Sequence, residues 1–168
     1  GFLYIAYPIV HVLPQSEQLS ALMLVIGGLR VYGPHGHQHG FADERHQAAC
    51  EVVKGVPRAQ KWLRHPMFCT MLCYRWFFIF FGQMFVWQGD VPAYLLQVWD
   101  FLLHDVVAGT HARLRLFARC AVIEYCKIVP CCDDVLEDFS HLFDFKWSDD
   151  NIVRILQNAY ITTRAKNL

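Results

Sequence analysis

Two oppositely charged residues stand within strongly apolar segments of this sequence. Arg75 lies in the segment 74–81, whose other members are apolar or aromatic, and Asp100 lies in a second apolar segment downstream. A buried guanidinium without a partner costs about 3–5 kcal/mol, so each charge needs either a partner or water. We predict that the two segments form a helical hairpin in which Arg75 pairs with Asp100. In the alternative, Arg75 extends to solvent and Asp100 joins a hydrated stripe with Gln97 and His104.

The signals for helix starts support the hairpin. Pro66 follows His65 where a helix could begin, and the apolar run continues to about Trp87. Asp90 is then an N-cap, with Pro92 in the first turn of the next helix. Because the connection has only a few residues, we expect the two helices to pack antiparallel and to bring the charges together.

The first apolar segment also raises the question of a membrane span. Residues 67–87 contain one formal charge, and about 20 apolar residues cross a bilayer as a helix. The central Arg75, the break at Gly82 and Gln83, and flanks without a Lys/Arg asymmetry argue against a span. We therefore predict that the chain has no transmembrane segment.

Two short motifs contain candidate metal ligands. His35, His37 and His39 alternate in a glycine-rich segment and could bind zinc together with His46. A flexible glycine-rich loop holds no fixed tetrahedral geometry, so we interpret this segment as a solvated loop. The second motif, residues 131–134, has the sequence Cys-Cys-Asp-Asp, which we interpret as a helix N-terminus with Asp near the positive end of the dipole. We predict no metal and no cofactor.

The seven cysteines are an odd number and lie mostly in apolar helical context. This pattern favours buried thiols in a reducing compartment over a disulfide framework, and it predicts a cytoplasmic protein. A cysteine–histidine nucleophile stays open as an alternative, although no local signature selects one pair. The start at Gly1 lacks a Met and a charged n-region, so we expect no secretory signal and expect a longer polypeptide. The cysteines are Cys50, Cys69, Cys73, Cys120, Cys126, Cys131 and Cys132.

Charge and hydrophobicity restrict the class of partner. Fifteen basic and fifteen acidic residues cancel, which excludes the basic footprint of a nucleic-acid-binding protein. The hydrophobic content of 55% and the aromatic content of 15% are high for a soluble domain, so we expect apolar surface that another protein segment or a membrane covers. We interpret the basic residues of the segment 111–129 as a solvated face, and the five tryptophans as packing residues.

Apolar periodicity and capping residues predict helices throughout and a single all-α domain over residues 1–168. No segment alternates as a strand would. Besides the hairpin, helices are predicted over residues 2–12, 16–32, 42–54, 58–63, 111–129 and 133–143, with a last helix that Ser148 caps and that ends near residue 164.

The order of these segments resembles the C-terminal part of the TBC domain, the family that stimulates GTP hydrolysis by Rab-type small GTPases. Residues 1–6 resemble the stretch that begins with the glycine of the family's Tyr-x-Gln-Gly motif, and residues 63–71 resemble the lead into its aromatic helix. Residues 74–81 resemble its Arg-Trp…Phe helix, and residues 96–103 resemble its Trp-Asp helix. The resemblance covers nearly all of the chain.

This resemblance implies a TBC-like bundle of about eight helices, incomplete at its N-terminus. It implies that five residues serve as family-motif and fold-organising positions: Gly1, Arg75, Trp76, Trp99 and Asp100. It also implies a Rab-type GTPase as the partner, a role in vesicle trafficking and a cytoplasmic location at endomembranes.

The sequence departs from the family at the catalytic fingers. TBC proteins insert an arginine from an Ile-x-x-Asp-x-x-Arg motif and a glutamine from Tyr-x-Gln-Gly into the GTPase, and neither motif occurs in these 168 residues. An arginine finger supplied in trans raises the rate of GTP hydrolysis about 10³- to 10⁵-fold. We therefore assign no catalytic residue and expect negligible GTPase activation by this chain alone. The alternative is a TBC-like scaffold or structural subunit without catalysis, with a partner or an N-terminal half on its apolar face.

Overall fold

A computed structural model of the chain describes residues 3–28, 39–85, 87 and 90–166, and the regular structure in these ranges is helical. This confirms the prediction of an all-α bundle of about eight helices. The α-helices in chain order are α1 Leu3–Val12, α2 Gln15–Gly28, α3 His39–Val53, α4 Pro57–Gln60, α5 Pro66–Leu72, α6 Ala93–Ala108, α7 Ala112–Ile128, α8 Val135–Asp144 and α9 Asp149–Lys166. None of the helices described in these ranges combines the length and apolar character needed to cross a membrane.

The capping residues read from the sequence mark the last two helices correctly. At α9, the Ser148 hydroxyl accepts a hydrogen bond from the Asn151 N–H at 3.3 Å, and Asn151 Oδ1 accepts one from the Ser148 N–H. This reciprocal arrangement is a capping box. At α8, Asp134 Oδ1 accepts hydrogen bonds from the backbone N–H groups of Leu136 and Glu137. The interpretation of residues 131–134 as a helix N-terminus is therefore confirmed.

Helix α7 lies at the centre of the bundle and packs against α3, α6 and α9. Its connection to α6 is held by Asp105, which is buried and accepts hydrogen bonds from the Leu114 N–H at 2.8 Å and the Thr110 hydroxyl at 2.9 Å. Gly109 ends α6 with a φ of 63°, a left-handed conformation that glycine adopts without a Cβ clash. As predicted, helix α7 ends just before Pro130.

The prediction of one continuous helix through the aromatic segment is wrong. Helix α5 ends at Leu72 and passes into a π-helical turn, Cys73–Phe77, with hydrogen bonds from the Phe78 N–H to the Cys73 carbonyl and from the Phe81 N–H to the Trp76 carbonyl. Phe80 and Phe81 then adopt φ values of 52° and 60°, and a 3-10 turn, Gly82–Met84, follows.

Burial of the aromatic rings explains this reversal of the chain. Phe77, Phe80 and Phe81 are all fully buried. A regular helix would distribute consecutive residues around its axis and expose some of these rings. The left-handed backbone costs about 1–2 kcal/mol per residue, and burying a phenylalanine side chain recovers about 1.5–3 kcal/mol. Burial therefore outweighs the backbone strain.

The predicted start of α6 is also corrected. Pro92 is the N-cap and the helix begins at Ala93, whereas Asp90 is exposed and lies outside the helix. If Asp90 were the N-cap, Val91 would have to be helical. The residue before a proline is driven toward extended backbone, so Val91 cannot take that position.

Candidate functional site

The Arg75 guanidinium pairs with α8 and not with α6. Arg75 Nη1 donates to Asp144 Oδ1 at 2.5 Å, and the two side chains are 35% and 65% exposed. The predicted pair with Asp100 is therefore wrong. The hairpin that would have brought the two charges together does not form, because the chain reverses at Phe80 and Phe81. Arg75 is a partly hydrated surface cation and not a buried charge.

Asp100 belongs to a hydrated stripe on α6, as the alternative interpretation predicted. Asp100, Gln97 and His104 are all exposed. Asp100 also lines a groove of about 510 Å³ between α6 and α9. The other lining residues are Leu96, Gln97, Val153, Leu156, Gln157 and Tyr160.

Both tryptophans of the family-like segments lie in the core. Trp99 Nε1 donates to the Phe80 carbonyl at 3.2 Å, and the two rings meet edge to face with centroids 5.3 Å apart. Trp76 is fully buried and packs on Phe81 and Phe143, with centroids 5.5 Å and 5.2 Å away. Among the described residues, its Nε1 has no hydrogen-bond partner. Gly1 lies outside the described residues.

The principal buried ion pair joins Arg58 of α4 to Asp138 of α8, and the sequence predictions did not include it. Arg58 Nε donates to Asp138 Oδ2 at 3.0 Å, and its two Nη groups donate to Asp138 Oδ1 and to the carbonyls of Val129 and Pro130. Trp62 Nε1 also donates to Asp138 Oδ2, at 2.8 Å. The cluster fastens the 57–64 segment to α8 and to the end of α7.

The hydrogen bonds of this cluster shift the ionisation of both partners. Burial alone would raise the pKa of Asp138, but the donors Arg58 and Trp62 outweigh it and lower that pKa below its usual range. The hydrogen bond to Asp138 raises the pKa of Arg58, against the effect of burial. Both groups therefore stay charged at neutral pH. The arginine–tryptophan spacing of one helical turn, 58 to 62, was visible in the sequence, but the carboxylate 80 residues away was not.

Tyr125 of α7 extends the same cluster. Its hydroxyl donates to the Asp138 carbonyl at 3.1 Å and lies 2.9 Å from His141 Nδ1, and the Arg58 guanidinium stands over its ring at 5.1 Å from the centroid. Burial, followed by the nearby Asp138 charge, raises the pKa of Tyr125 to about 12. With its polar atoms engaged within the fold, this cluster is a structural fastening and not a substrate site.

Two of the four basic residues expected on α7 pair with carboxylates. Arg115 pairs with Glu51 of α3 at 3.0 Å, and Lys127 lies 3.6 Å from Glu124, which also accepts from Arg154 of α9 at 2.6 Å. The predicted solvated basic face is therefore partly neutralised by neighbouring helices.

The outer surface of α1 and α2 is apolar and solvent-exposed. Leu19, Met23 and Leu24 of α2 are 71%, 63% and 60% exposed, and Leu3 and Val10 of α1 are also exposed. An apolar pocket of about 290 Å³ lies at the first turns of α1 and is lined by Leu3, Tyr4, Tyr7 and Trp87. An exposed apolar surface of this kind is typical of a protein–protein or membrane contact.

A cluster of two thiols and one imidazole lies between α3 and α5. Cys50 Sγ is 3.6 Å from His46 Nε2, and Cys69 Sγ is 3.8 Å from the other ring nitrogen, Nδ1. Within the described part of the chain, no group of three or more His, Cys, Asp and Glu residues is arranged to hold a metal ion. Of the histidines considered as zinc ligands, His35, His37 and the side chain of His39 lie outside the described residues.

Among the described residues, the α6–α9 groove and the α1–α2 face are candidate docking surfaces, and the thiols at His46 form a candidate reactive cluster. Comparison with known proteins adds no family: no family model, no curated protein and no solved structure matches the chain at a significant level.

Proposed function

We propose that this chain is a TBC-type helical module that binds a Rab-type small GTPase in the cytoplasm and does not by itself accelerate GTP hydrolysis. The observation that carries the proposal is the contact between the two family-like segments. Trp99 of the Trp-Asp segment donates to the carbonyl of Phe80 in the aromatic segment, and their rings pack edge to face. The two segments that carry the resemblance therefore form one packed unit.

The charges of the chain are consistent with binding without catalysis. A finger that reaches into a GTPase must present a free guanidinium to the γ-phosphate oxygens. Four of the ten arginines of the chain pair with carboxylates within it. They are Arg58, Arg75, Arg115 and Arg154.

Two measurements on the same samples test the proposal. The chain is titrated into a panel of Rab-type GTPases loaded with a fluorescent, non-hydrolysable GTP analogue, with a Ras-type GTPase as the specificity control. Single-turnover GTP hydrolysis is then followed with and without saturating chain. We expect binding to at least one Rab-type member and an unchanged hydrolysis rate. Absence of binding across the panel would contradict the proposal, and acceleration by this chain would show that the assignment of the fingers is wrong.

A second candidate function is that of a scaffold or structural subunit, and the α1–α2 face favours it. Several large apolar side chains are exposed there, whereas permanent interfaces bury such side chains in their cores. Under this alternative the chain binds another protein through α1 and α2 and has no affinity for GTPases.

The two candidates predict different outcomes of the GTPase titration. In a scaffold, Leu19→Glu and Met23→Glu abolish assembly with the partner, and GTPase titrations show no binding with or without them. In the GTPase-binding module, the titration with the parent chain saturates. The GTPase panel therefore separates the candidates before the scaffold partner is identified.

A further inference from the structure

The His46 imidazole lies between two thiols from different helices. His46 and Cys50 are one turn apart on α3, and Cys69 projects from α5 to the opposite side of the ring. The sulfur–nitrogen distances of 3.6 Å to Nε2 and 3.8 Å to Nδ1 are within the range of hydrogen bonds that involve sulfur. Each ring nitrogen therefore contacts one thiol.

The three groups differ in their access to solvent. His46 is exposed, Cys50 is half-buried, and Cys69 is only 7% exposed. A neutral imidazole has one N–H donor and one acceptor nitrogen. Because Cys50 is the more accessible thiol, a reagent from solvent meets Cys50 first, while Cys69 is sheltered behind the ring.

We propose that Cys50 is a site of thiol–disulfide exchange with small disulfides such as oxidised glutathione, with His46 as the acceptor of the thiol proton and Cys69 as the resolving thiol. The thiolate is the nucleophile in such exchange, and an adjacent imidazole is the usual activating base of a cysteine. This site is separate from both docking surfaces and does not depend on the proposed GTPase partner.

The exchange balances in two steps. First, the Cys50 proton moves to His46 Nε2, the thiolate attacks one sulfur of the small disulfide, and a Cys50 mixed disulfide forms as one small thiolate leaves. His46 then gives the Cys50 proton to the small thiolate that left. Next, Cys69 attacks Cys50 Sγ, its proton moves to the second small thiolate as that group leaves, and a Cys50–Cys69 disulfide forms. Because burial raises the pKa of the Cys69 thiol, this second step is slower than the first. The small disulfide is the oxidant, and it is reduced to two thiols. The ring of His46, which is exposed, must swing out for the second step.

Other cysteines of the chain provide internal references. Burial raises the pKa of the Cys73 thiol to about 12 and that of Cys126 to about 11, so both stay protonated near neutral pH. Cys131 is exposed and its thiol donates to the Cys132 carbonyl at 3.5 Å. Cys131 therefore reports the reactivity of an accessible thiol in the same molecule.

The experiment follows adduct formation at each cysteine of the full chain. The chain is incubated with oxidised glutathione, quenched with acid at timed intervals and analysed by peptide mass spectrometry. We expect His46→Gln to slow modification of Cys50 at least about a hundredfold, the low end for loss of a general base, and to leave Cys131 unchanged. An equal rate at Cys50 in parent and variant, or no adduct at Cys50 in the parent, overturns the proposal.

A second variant tests the resolving thiol. In the parent chain the Cys50 adduct should convert to the Cys50–Cys69 disulfide, whereas in Cys69→Ala it should accumulate as the mixed disulfide. A mixed disulfide that persists equally in both chains overturns the role of Cys69. Far-UV circular dichroism checks each fold, and His46→Asn replaces His46→Gln if the latter does not fold.

Discussion

At the scale of single residues, two arginine–aspartate pairs of opposite burial give a matched test of what holds the bundle together. Asp138→Asn leaves the Arg58 guanidinium in a largely buried site without its counter-charge, since the Asp138 side chain is only 4% exposed. We expect the free energy of unfolding to fall by about 3–5 kcal/mol, the usual cost of removing one partner of a buried ion pair. Urea denaturation followed by circular dichroism measures the loss.

The control removes the exposed pair in the same way. Asp144→Asn separates Arg75 from a carboxylate that is 65% exposed, so the change in the free energy of unfolding should stay below about 1 kcal/mol. Similar losses in the two variants would contradict the assignment of Arg58–Asp138 as the structural pair. A dominant effect at Asp144 would instead mean that Arg75 anchors α8.

The raised pKa of Tyr125 predicts sensitivity to alkali. In the unfolded chain a tyrosine loses its proton near pH 10, whereas in the fold the pKa of Tyr125 is about 12. Between these values the native state binds more protons, so the free energy of unfolding falls as pH rises. This contribution is fully present below about pH 9. The buried thiols of Cys73 and Cys126 act in the same direction.

The test compares Tyr125→Phe with the exposed Tyr160→Phe across pH 8 to 12. Tyr125→Phe should lower stability at pH 8 by about 1 kcal/mol, through the lost hydrogen bond to the Asp138 carbonyl, and should flatten the decline above about pH 10. Tyr160→Phe should keep the slope of the parent chain. An unchanged slope in Tyr125→Phe would show that the phenol ionises equally in both states.

At the scale of elements, local sequence signals predicted helix ends correctly, but they did not predict the reversal of the chain in the apolar segment 74–81. Ser148 and Pro130 marked the start of α9 and the end of α7, because capping and the missing proline N–H act within a few residues. The run 74–81 gives no such signal, since every position except Arg75 is compatible with a buried helix. Its reversal at Phe80 depends on contacts such as that with Trp99, 19 residues away.

The same limit applies to the ion pairs and to the thiol cluster. Contacts between residues close in the sequence could be predicted, whereas contacts between distant residues could not. His46 and Cys50 are visible in the sequence as neighbours on one helix face, but Cys69 joins them only when α5 packs on α3. The sequence offered several carboxylates as possible partners of Arg75. Arg75 pairs with Asp144 because of the position of α8 in the bundle, and no local spacing in the sequence encodes that position.

The packing of α1 against the turn after the aromatic segment can be tested with glycine substitutions. A Cβ on Gly82 would lie 2.7 Å from Tyr4 Cβ, an atom fixed to the backbone of α1, so Gly82→Ala must push α1 away. We expect a loss of about 1–3 kcal/mol in the free energy of unfolding, the usual cost of overpacking. Thermal and urea unfolding provide the measurement.

Gly27→Ala in α2 is the matched control. A Cβ there meets nothing within 4 Å, and alanine is the better helix former, so this variant should gain about 0.5–1 kcal/mol. If Gly82→Ala were as stable as the parent chain, α1 would not be packed on the turn at Gly82. The opposite signs expected for the same chemical change make the comparison insensitive to general effects of the substitution.

At the scale of the whole molecule, a well-filled core coexists with an apolar outer surface. Trp62, Trp76 and Tyr125 are almost completely buried, whereas Leu19 and Met23 project from α2 into solvent. Leu19 and Met23 are one helical turn apart and lie on one face of α2. The high hydrophobic content therefore exceeds what the core of the described residues absorbs, and the surplus is concentrated on α1 and α2.

This distribution predicts that the isolated chain binds an apolar dye in its native state and associates as its concentration rises. Leu19→Glu combined with Met23→Glu should lower dye fluorescence at least about twofold and shift sedimentation toward the monomer, because it places charges on the exposed apolar face. The melting temperature should change little, since neither side chain is part of the core.

Val107→Glu, at an apolar residue that is 84% exposed on α6, is the control and should affect neither readout. A parent chain that is monomeric at all concentrations and binds no dye would show that the α1–α2 face is not a contact surface, and it would remove the observation that favours the scaffold function.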